Sequence, residues 1–386
     1  MHSFTPDPPA PTETNTATTP KRNSLKIGIA VSALALFLTF PAPIAFAQAA
    51  AAPPAAAPQA PAATPATPEA TPAMPALPHA APVDPLPQAN PRFFTASTPT
   101  VDTVNAFLNQ VWGFDSNRLW RVEGIQPTPA PGVVKVTVFI TTKDPKAQVQ
   151  AATFYVTPDG KHAIGEGAGV VPFGATPFTP TRDLLRARAD GAWRGAPAKD
   201  LELVEFVDLQ CPHCKEAQAV MDDLAKSFPK AHIVFQLFPL VDIHPSAYKA
   251  AAYGICVQKQ SNDAFFKYAA GVFETQEALS PSTEDTLLKA AVKRAGLDSD
   301  VVAACAATPS TKETIAADIK LAEDAGVDQT PLLSVNGRLI PIGGVSFEAI
   351  RQLIQYQATL DGVDSGATAE TLATHSDQPK LTDLPK

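Results

Sequence analysis

The sequence predicts an α/β fold with a helical insertion, preceded by a small α+β unit. Three observations carry this. A buried-strand pattern, Leu201–Val207, runs straight into Cys211-Pro212-His213-Cys214, and helical spacing follows through Val220, Met221, Leu224 and Phe228. Far downstream, Thr330-Pro331 leads an apolar run closed by Asn336-Gly337, a strong hairpin signal. Upstream, a helical repeat precedes several strand-like runs. At roughly 150 residues per domain, 386 residues leave room for two or three folded units.

Residues 1–47 read as a secretory signal peptide. Lys21, Arg22 and Lys26 supply the positive region, Ile27–Phe40 the apolar stretch and Ala45-Phe46-Ala47 the small-x-small cleavage site. An uncleaved signal anchor is the alternative. Either way the remainder is expected in the periplasm or at the extracytoplasmic face, where disulfides persist. Residues 48–91 hold 13 prolines and 17 alanines in 44 positions. Such a segment cannot bury a core, and its prolines favour extended polyproline II, so it reads as a spacer. Without residues 1–47 the net charge of −8 becomes −9, with no basic cluster, which argues against nucleic acid as a partner.

Residues 92–178 form the predicted α+β unit. Thr100 caps a helix through Val101, Val104, Leu108 and Val111, and strand-like runs follow at Arg118–Ile125, Gly132–Thr141 and Ala151–Thr157. Asp159-Gly160 then turns into Lys161–Ile164. His162, beside that turn, reads as a surface residue. Residues 179–200, helix-prone over Arg182–Ala189 and then Gly- and Pro-containing, read as a connector, 201–357 as the second unit and 358–386 as a disordered tail. Inside 201–357, strand Ile233–Phe238 leads to helical patterns at about 245–259, 262–273, 283–295, 298–306 and 312–325. Gly296 and Gly326 stand where C-terminal caps belong.

A strand, a C-x-x-C and a helix in that order open a thioredoxin fold. Cys211 falls at the helix N-cap, where orphan N–H groups and the helix dipole favour an anion, so its thiol ionises readily. Pro212 suits the first helical position, where a missing N–H costs nothing. His213 can add positive charge or a hydrogen bond near the thiolate. Cys214, one turn on, is placed to attack a mixed disulfide formed at Cys211. Half of a zinc site is the competing reading, but no second Cys or His pair follows at finger-like spacing. A purely structural Cys211–Cys214 bridge would close too small a loop to stabilise much. Thr330-Pro331 is a candidate cis bond, and backbone exposed before it can pair with an extended substrate.

With Cys211-Pro212-His213-Cys214 at a helix start, a late Thr330-Pro331 and a helical insertion between, residues 201–357 resemble the DsbA-like family of extracytoplasmic thiol:disulfide oxidoreductases. That resemblance implies a redox protein with no bound cofactor and no metal, acting on reduced or misoxidised exported proteins and served by a membrane redox partner. It gives Glu205 the position of a buried acid that relays the proton of Cys214. A satisfied buried carboxylate is the other reading. It also implies a second bridge, Cys256–Cys305. Taken alone, four cysteines allow three pairings, and two free thiols or an electron-relaying pair stay open.

Gly124-Ile125-Gln126-Pro127, Pro131-Gly132-Val133 and Phe154–Lys161 resemble the N-terminal dimerisation domain of periplasmic disulfide isomerases, which implies a homodimer through that unit. The indications of direction are thus divided, and the favoured reading is an oxidase that transfers its Cys211–Cys214 disulfide to folding exported proteins through a mixed disulfide at Cys211. Pro-His between the cysteines matches the oxidase. The N-terminal unit and Thr330 before the proline match a reduced-resting isomerase. A reading from another class is a dimeric holdase with incidental cysteines, or a metal-binding protein.

Overall fold

A computed structural model describes Leu86 and residues 88–165, 169–343 and 345–367. The expected signal peptide, nearly all of the spacer and the end of the tail lie outside the described residues. Among the described residues no helix is long and apolar enough to cross a membrane.

The first layer pair begins with helix α1 (Val101–Trp112), whose N-cap Thr100 accepts the Thr103 N–H at 3.1 Å. Five antiparallel strands follow in spatial order: β1 (Arg118–Pro127), β2 (Val134–Thr142), β3 (Gln150–Val156), β4 (His162–Gly165) and β5 (Gly169–Pro172). The helical repeat puts Val104, Phe107, Leu108 and Trp112 on one face, and these pack on Val122, Ile125, Val136, Val138, Phe154 and Val156 of the sheet. Strands β1–β4 lie where the alternation places them. The short β5 carries no sequence signal, because Gly169-Val170-Val171-Pro172 is too brief to alternate, and its pairing to β4 comes from the preceding hairpin. His162 is exposed, its Nδ1 2.7 Å from Asp159 Oδ2, as the turn position suggests.

The second sheet has the order β10-β9-β7-β8-β6. Its members are β6 (Ala192–Gly195), β7 (Glu202–Val207), β8 (His232–Leu237), β9 (Leu332–Val335) and β10 (Arg338–Pro341). Strand β7 is central, parallel to β8 and antiparallel to β9. Because both faces are covered, β7 and β8 are buried at every position, with Glu202, Glu205, His232 and Gln236 buried among their apolar residues. One face packs against helices α3 (Pro212–Ser227) and α9 (Phe347–Leu360) through Met221, Leu224, Phe228, Ile350 and Ile354. Leu185 of α2 (Thr179–Arg188) and Leu321 of α8 (Pro309–Ala325) cover the other. Between β8 and α8 lie the inserted helices α4 (Ala247–Gln260), α5 (Asn262–Thr275), α6 (Glu284–Arg294) and α7 (Ser299–Ala306), with their own apolar cluster.

The reading of 179–200 as a connector needs correction. This segment supplies α2 and the edge strand β6, which pairs antiparallel with β8. A four-residue strand between Gly191 and Gly195 carries no periodic signal. Its register is held from outside: the Asn262 side chain accepts the Trp193 N–H at 2.8 Å and donates to the Trp193 carbonyl at 2.6 Å. That amide satisfies the open backbone groups of the edge as a sixth strand would.

The Asn336-Gly337 turn joins β9 to β10 with both residues at positive φ, 45° and 88°, which is the two-residue geometry that suits the twist of a hairpin. At Gly337 a Cβ would meet the Phe178 carbonyl oxygen at 2.3 Å, so packing as well as φ requires glycine. Arg338, buried, lies over the Phe178 ring at 4.5 Å and donates to the Val111 carbonyl at 3.4 Å. Burial pushes its pKa down to about 10. Tyr356 of α9 donates to the Asn109 carbonyl at 2.8 Å, in space that a side chain at Gly113 would fill. These contacts anchor α1 to the hairpin and to α9.

Candidate active site

Strand β7 ends at Val207, and four residues later Cys211 caps helix α3 with φ −76° and ψ 120°. Pro212 occupies the first helical position, as its missing N–H predicts. Both thiols are free and buried, Cys211 at 4% exposure and Cys214 at 0%. The Cys211 carbonyl accepts the Cys214 N–H at 3.1 Å and the Gln276 side-chain amide at 2.9 Å.

The two sulfurs are driven apart in acidity. The Cys214 thiol, donating to the Cys211 sulfur, lowers the Cys211 pKa most; burial works against this, and the Thr330 hydroxyl and the N–H groups of Cys214 and His213 lower it further, to about 5. Cys214 moves far upward, chiefly through burial and then through its bond to Cys211. One sulfur is thus a thiolate at neutral pH and the other a thiol.

Thr330 and Pro331 are joined by a cis peptide bond, in line with the sequence expectation. When protonated, Cys211 Sγ donates to the Thr330 carbonyl across 3.6 Å. The Thr330 hydroxyl is buried and has no oxygen or nitrogen partner, which leaves it free to turn toward a charged sulfur. His213 is placed differently from the other motif residues. Its imidazole is exposed and lies 3.1 Å from Glu216, which raises its pKa more than the Cys211 charge does. Its direct contribution to the thiolate is its backbone N–H.

Glu205 lies on β7, buried, and burial raises its pKa to about 8 against the opposing pull of Arg194 and Gln218. The Gln218 amide, one turn beyond Cys214 on α3, donates to Glu205 Oε1 at 3.0 Å and to the Cys214 carbonyl at 3.0 Å. Cys256 and Cys305 form a disulfide linking α4 to α7, with Cα atoms 5.9 Å apart. Thr311 Oγ1 sits 3.4 Å from the Cys256 sulfur. This bridge lies in the insertion.

Several site residues escape sequence reasoning. Asp208, Gln218, His244 and Gln276 hydrogen-bond to the segment around Cys211, and Gln210, next to Cys211, ties that segment to Leu279 and Ser246. Asp208 carries a signal, standing three residues before a cysteine at a strand end. His244 and Gln276 are 36 and 65 residues from their partners, and no local pattern marks them. Among the described residues no group of three or more His, Cys, Asp or Glu side chains is arranged to hold a metal ion.

The strand order, the helix-capping Cys211 and the cis-proline beside it define a thioredoxin-like domain, and residues 188–356 match the thioredoxin family model. That match begins ahead of β6, in agreement with the place of β6 in the sheet. The chain is similar to the Na(+)/H(+) antiporter NhaA 3 of Salinispora tropica, 30% identical over 175 residues, 45% of this chain and 24% of the antiporter. It is also similar to the Na(+)/H(+) antiporter NhaA 1 of Mycolicibacterium vanbaalenii, 32% identical over 164 residues, 42% of this chain and 24% of that protein. The chain thus spans about a quarter of the length of these curated relatives. Among solved structures, a thioredoxin-like oxidoreductase from Silicibacter pomeroyi is 22% identical, with a TM-score of 0.40 and coverage of 46% of this chain and 98% of that one. The thiol-disulfide exchange protein alpha-DsbA2 from Wolbachia pipientis is 19% identical, with a TM-score of 0.40 and coverage of 48% and 99%.

Proposed function

We propose that this protein is an extracytoplasmic thiol:disulfide oxidoreductase that donates its Cys211–Cys214 disulfide to exported proteins. The observation that carries the reading is the unequal setting of the pair: Cys211 caps helix α3 beside the Thr330–Pro331 loop while Cys214 is fully buried, which draws the Cys211 pKa down to about 5 and pushes Cys214 far upward. Stabilising the reduced form of a dithiol makes the corresponding disulfide a stronger oxidant, so a low thiol pKa goes with a high reduction potential.

In the donating direction a substrate thiolate attacks Cys211 Sγ, the Cys211–Cys214 bond breaks, and Cys214 leaves with the electron pair and takes up a proton. A second substrate thiolate then attacks the substrate sulfur of the mixed disulfide. Cys211 departs as a thiolate, and the substrate has lost two electrons to the pair. Thr330, ahead of the cis-proline, would offer its backbone to the substrate strand. Glu205 would supply or receive the Cys214 proton. Return to the disulfide form would fall to a membrane redox partner, and export would depend on residues 1–47.

A dimeric isomerase is the second reading, favoured by the N-terminal sheet. Tyr155, Ile164 and Val170 are paired in register across β3, β4 and β5, so they form one exposed apolar row beside an open edge strand. That row suits a homodimer contact, and an isomerase works as a reduced pair. Incubation of the oxidised protein with a reduced, unfolded protein of known thiol content tests the first reading. Stoichiometric loss of substrate thiols is expected. Failure to oxidise it, with rearrangement of a wrongly bridged substrate by the reduced protein, would move the assignment to the isomerase.

A further inference from the structure

Asp208 bonds the attacking cysteine through its backbone and bears on the charge of the second. Its carbonyl accepts the Cys211 N–H at 3.1 Å, and its own N–H favours the charged state of the Cys214 sulfur. Its carboxylate is fully buried and takes three donors: the Gln210 N–H at 2.7 Å, the Leu240 N–H at 2.9 Å and His244 Nδ1 at 2.7 Å. In this arrangement the imidazole is the donor to Asp208 Oδ2, beside the Leu240 N–H. Gln210 adds a further tie, accepting the Ser246 N–H at 2.7 Å and donating to the Leu279 carbonyl at 2.9 Å. The segment after β8 is thereby bonded to the segment before Cys211 at Leu240, His244 and Ser246.

We propose that His244 is a positioning residue for disulfide exchange, holding both sulfurs in place through Asp208. The proposal rests on the reading of Cys211 as the exchanging thiol. The mechanism is local. Without the imidazole donor, a buried carboxylate oxygen loses one of its partners and must move toward another. That movement shifts the backbone of Asp208, whose carbonyl holds the Cys211 N–H and whose N–H favours the charged Cys214 sulfur. Spacing gives no hint of this pair, because strand β8 and its following loop bring His244 to Asp208 only in the folded chain.

The test compares the full chain with His244→Ala, His244→Asn and His244→Gln, reading the Cys211 thiolate by its absorbance near 240 nm against pH and by its rate of alkylation with iodoacetamide. Asn presents Nδ2 where His presents Nδ1, so His244→Asn should titrate as the parent does. His244→Ala should raise the Cys211 midpoint by about one unit, a roughly tenfold loss of alkylation rate below the midpoint. His244→Gln, whose donor sits one methylene further out, should shift the midpoint in the same direction by less. If His244→Ala does not fold, the Gln variant decides alone. Ile243→Ser, in the same loop at a residue 68% exposed, should leave the midpoint unchanged. Parent-like titration of the Ala or Gln variant, with only a lower melting temperature, would overturn the proposal. Cys211→Ser tests the underlying reading separately: retained exchange there would remove the exchange reading, whatever His244 does.

Discussion

The Thr330 carbonyl oxygen stands 3.6 Å from Cys211 Sγ, joining residues 119 positions apart. This contact joins the two halves of the redox motif, and it places the backbone ahead of Pro331 beside the sulfur that the helix N-terminus activates. Any segment that pairs with the backbone ahead of Pro331 therefore arrives next to that sulfur.

Replacing each cysteine separates their roles. Cys211→Ser is expected to lower exchange with a dithiol substrate by at least about a thousandfold, since no other described thiol is both free and activated. Cys214→Ser should instead accumulate a mixed disulfide at Cys211, because the resolving thiol is gone. Non-reducing gels of the two variants with substrate check this. Equal trapping by both would contradict the assignment of Cys211 as the attacked sulfur.

The acidity of Cys211 sets a pH profile. With a pKa of about 5, the thiolate is fully formed above about pH 6, so the alkylation rate should stay flat up to pH 8. Below the midpoint it should fall about tenfold per unit. A midpoint near the ordinary thiol value would show that the N-cap and the surrounding donors do not stabilise the charge.

Glu205 and Cys211 pull the stability of the reduced protein in opposite directions. The Cys211 pKa is depressed from 9.0 to about 5, so between those values the unfolded chain holds the extra proton and stability rises with pH. The Glu205 pKa is raised from 4.5 to about 8, so through that window the folded chain holds the proton and stability falls as pH rises. Glu205→Gln keeps an acceptor for Gln218 and removes the second effect. It should melt higher than the parent at pH 8, by on the order of a few kcal/mol, with the gain shrinking toward pH 4.5. The same variant should slow the step in which Cys214 changes protonation. Denaturant melts across pH, with stopped-flow thiol release, measure both, and a gain that is independent of pH would contradict the buried-acid account.

The Cys256–Cys305 bridge spans 49 residues between α4 and α7. On the chain-entropy account its loss costs about 4 kcal/mol. The double variant Cys256→Ala, Cys305→Ala should therefore unfold at lower denaturant while keeping the Cys211 titration midpoint. A shifted midpoint would tie the insertion bridge to the redox pair.

Much of this site is legible in the sequence because its chemistry is local. Cys211-Pro212-His213-Cys214 combine an N-cap and a first-turn proline, and Asn336-Gly337 encode a turn that few other pairs can adopt. The strands β7 and β8 show as apolar-rich runs because helices cover both faces, with Glu205 and Gln236 as buried polar exceptions. What stays hidden depends on contacts between distant segments. Strand β6 exists because β8 and Asn262 hold its backbone, Asp208 finds His244 only after β8 is in place, and Gln276 reaches Cys211 from the end of α5. His213 stands in the motif as expected, but its imidazole turns to Glu216, a choice that neighbouring surface charges make.

The most direct test of the central claim is the reduction potential of the Cys211–Cys214 pair, measured against glutathione with the Cys256–Cys305 bridge intact. A stabilised thiolate predicts a potential well above the roughly −270 mV of thioredoxin. A value at or below about −270 mV would contradict a disulfide-donating role and favour a pair that works in the reduced state.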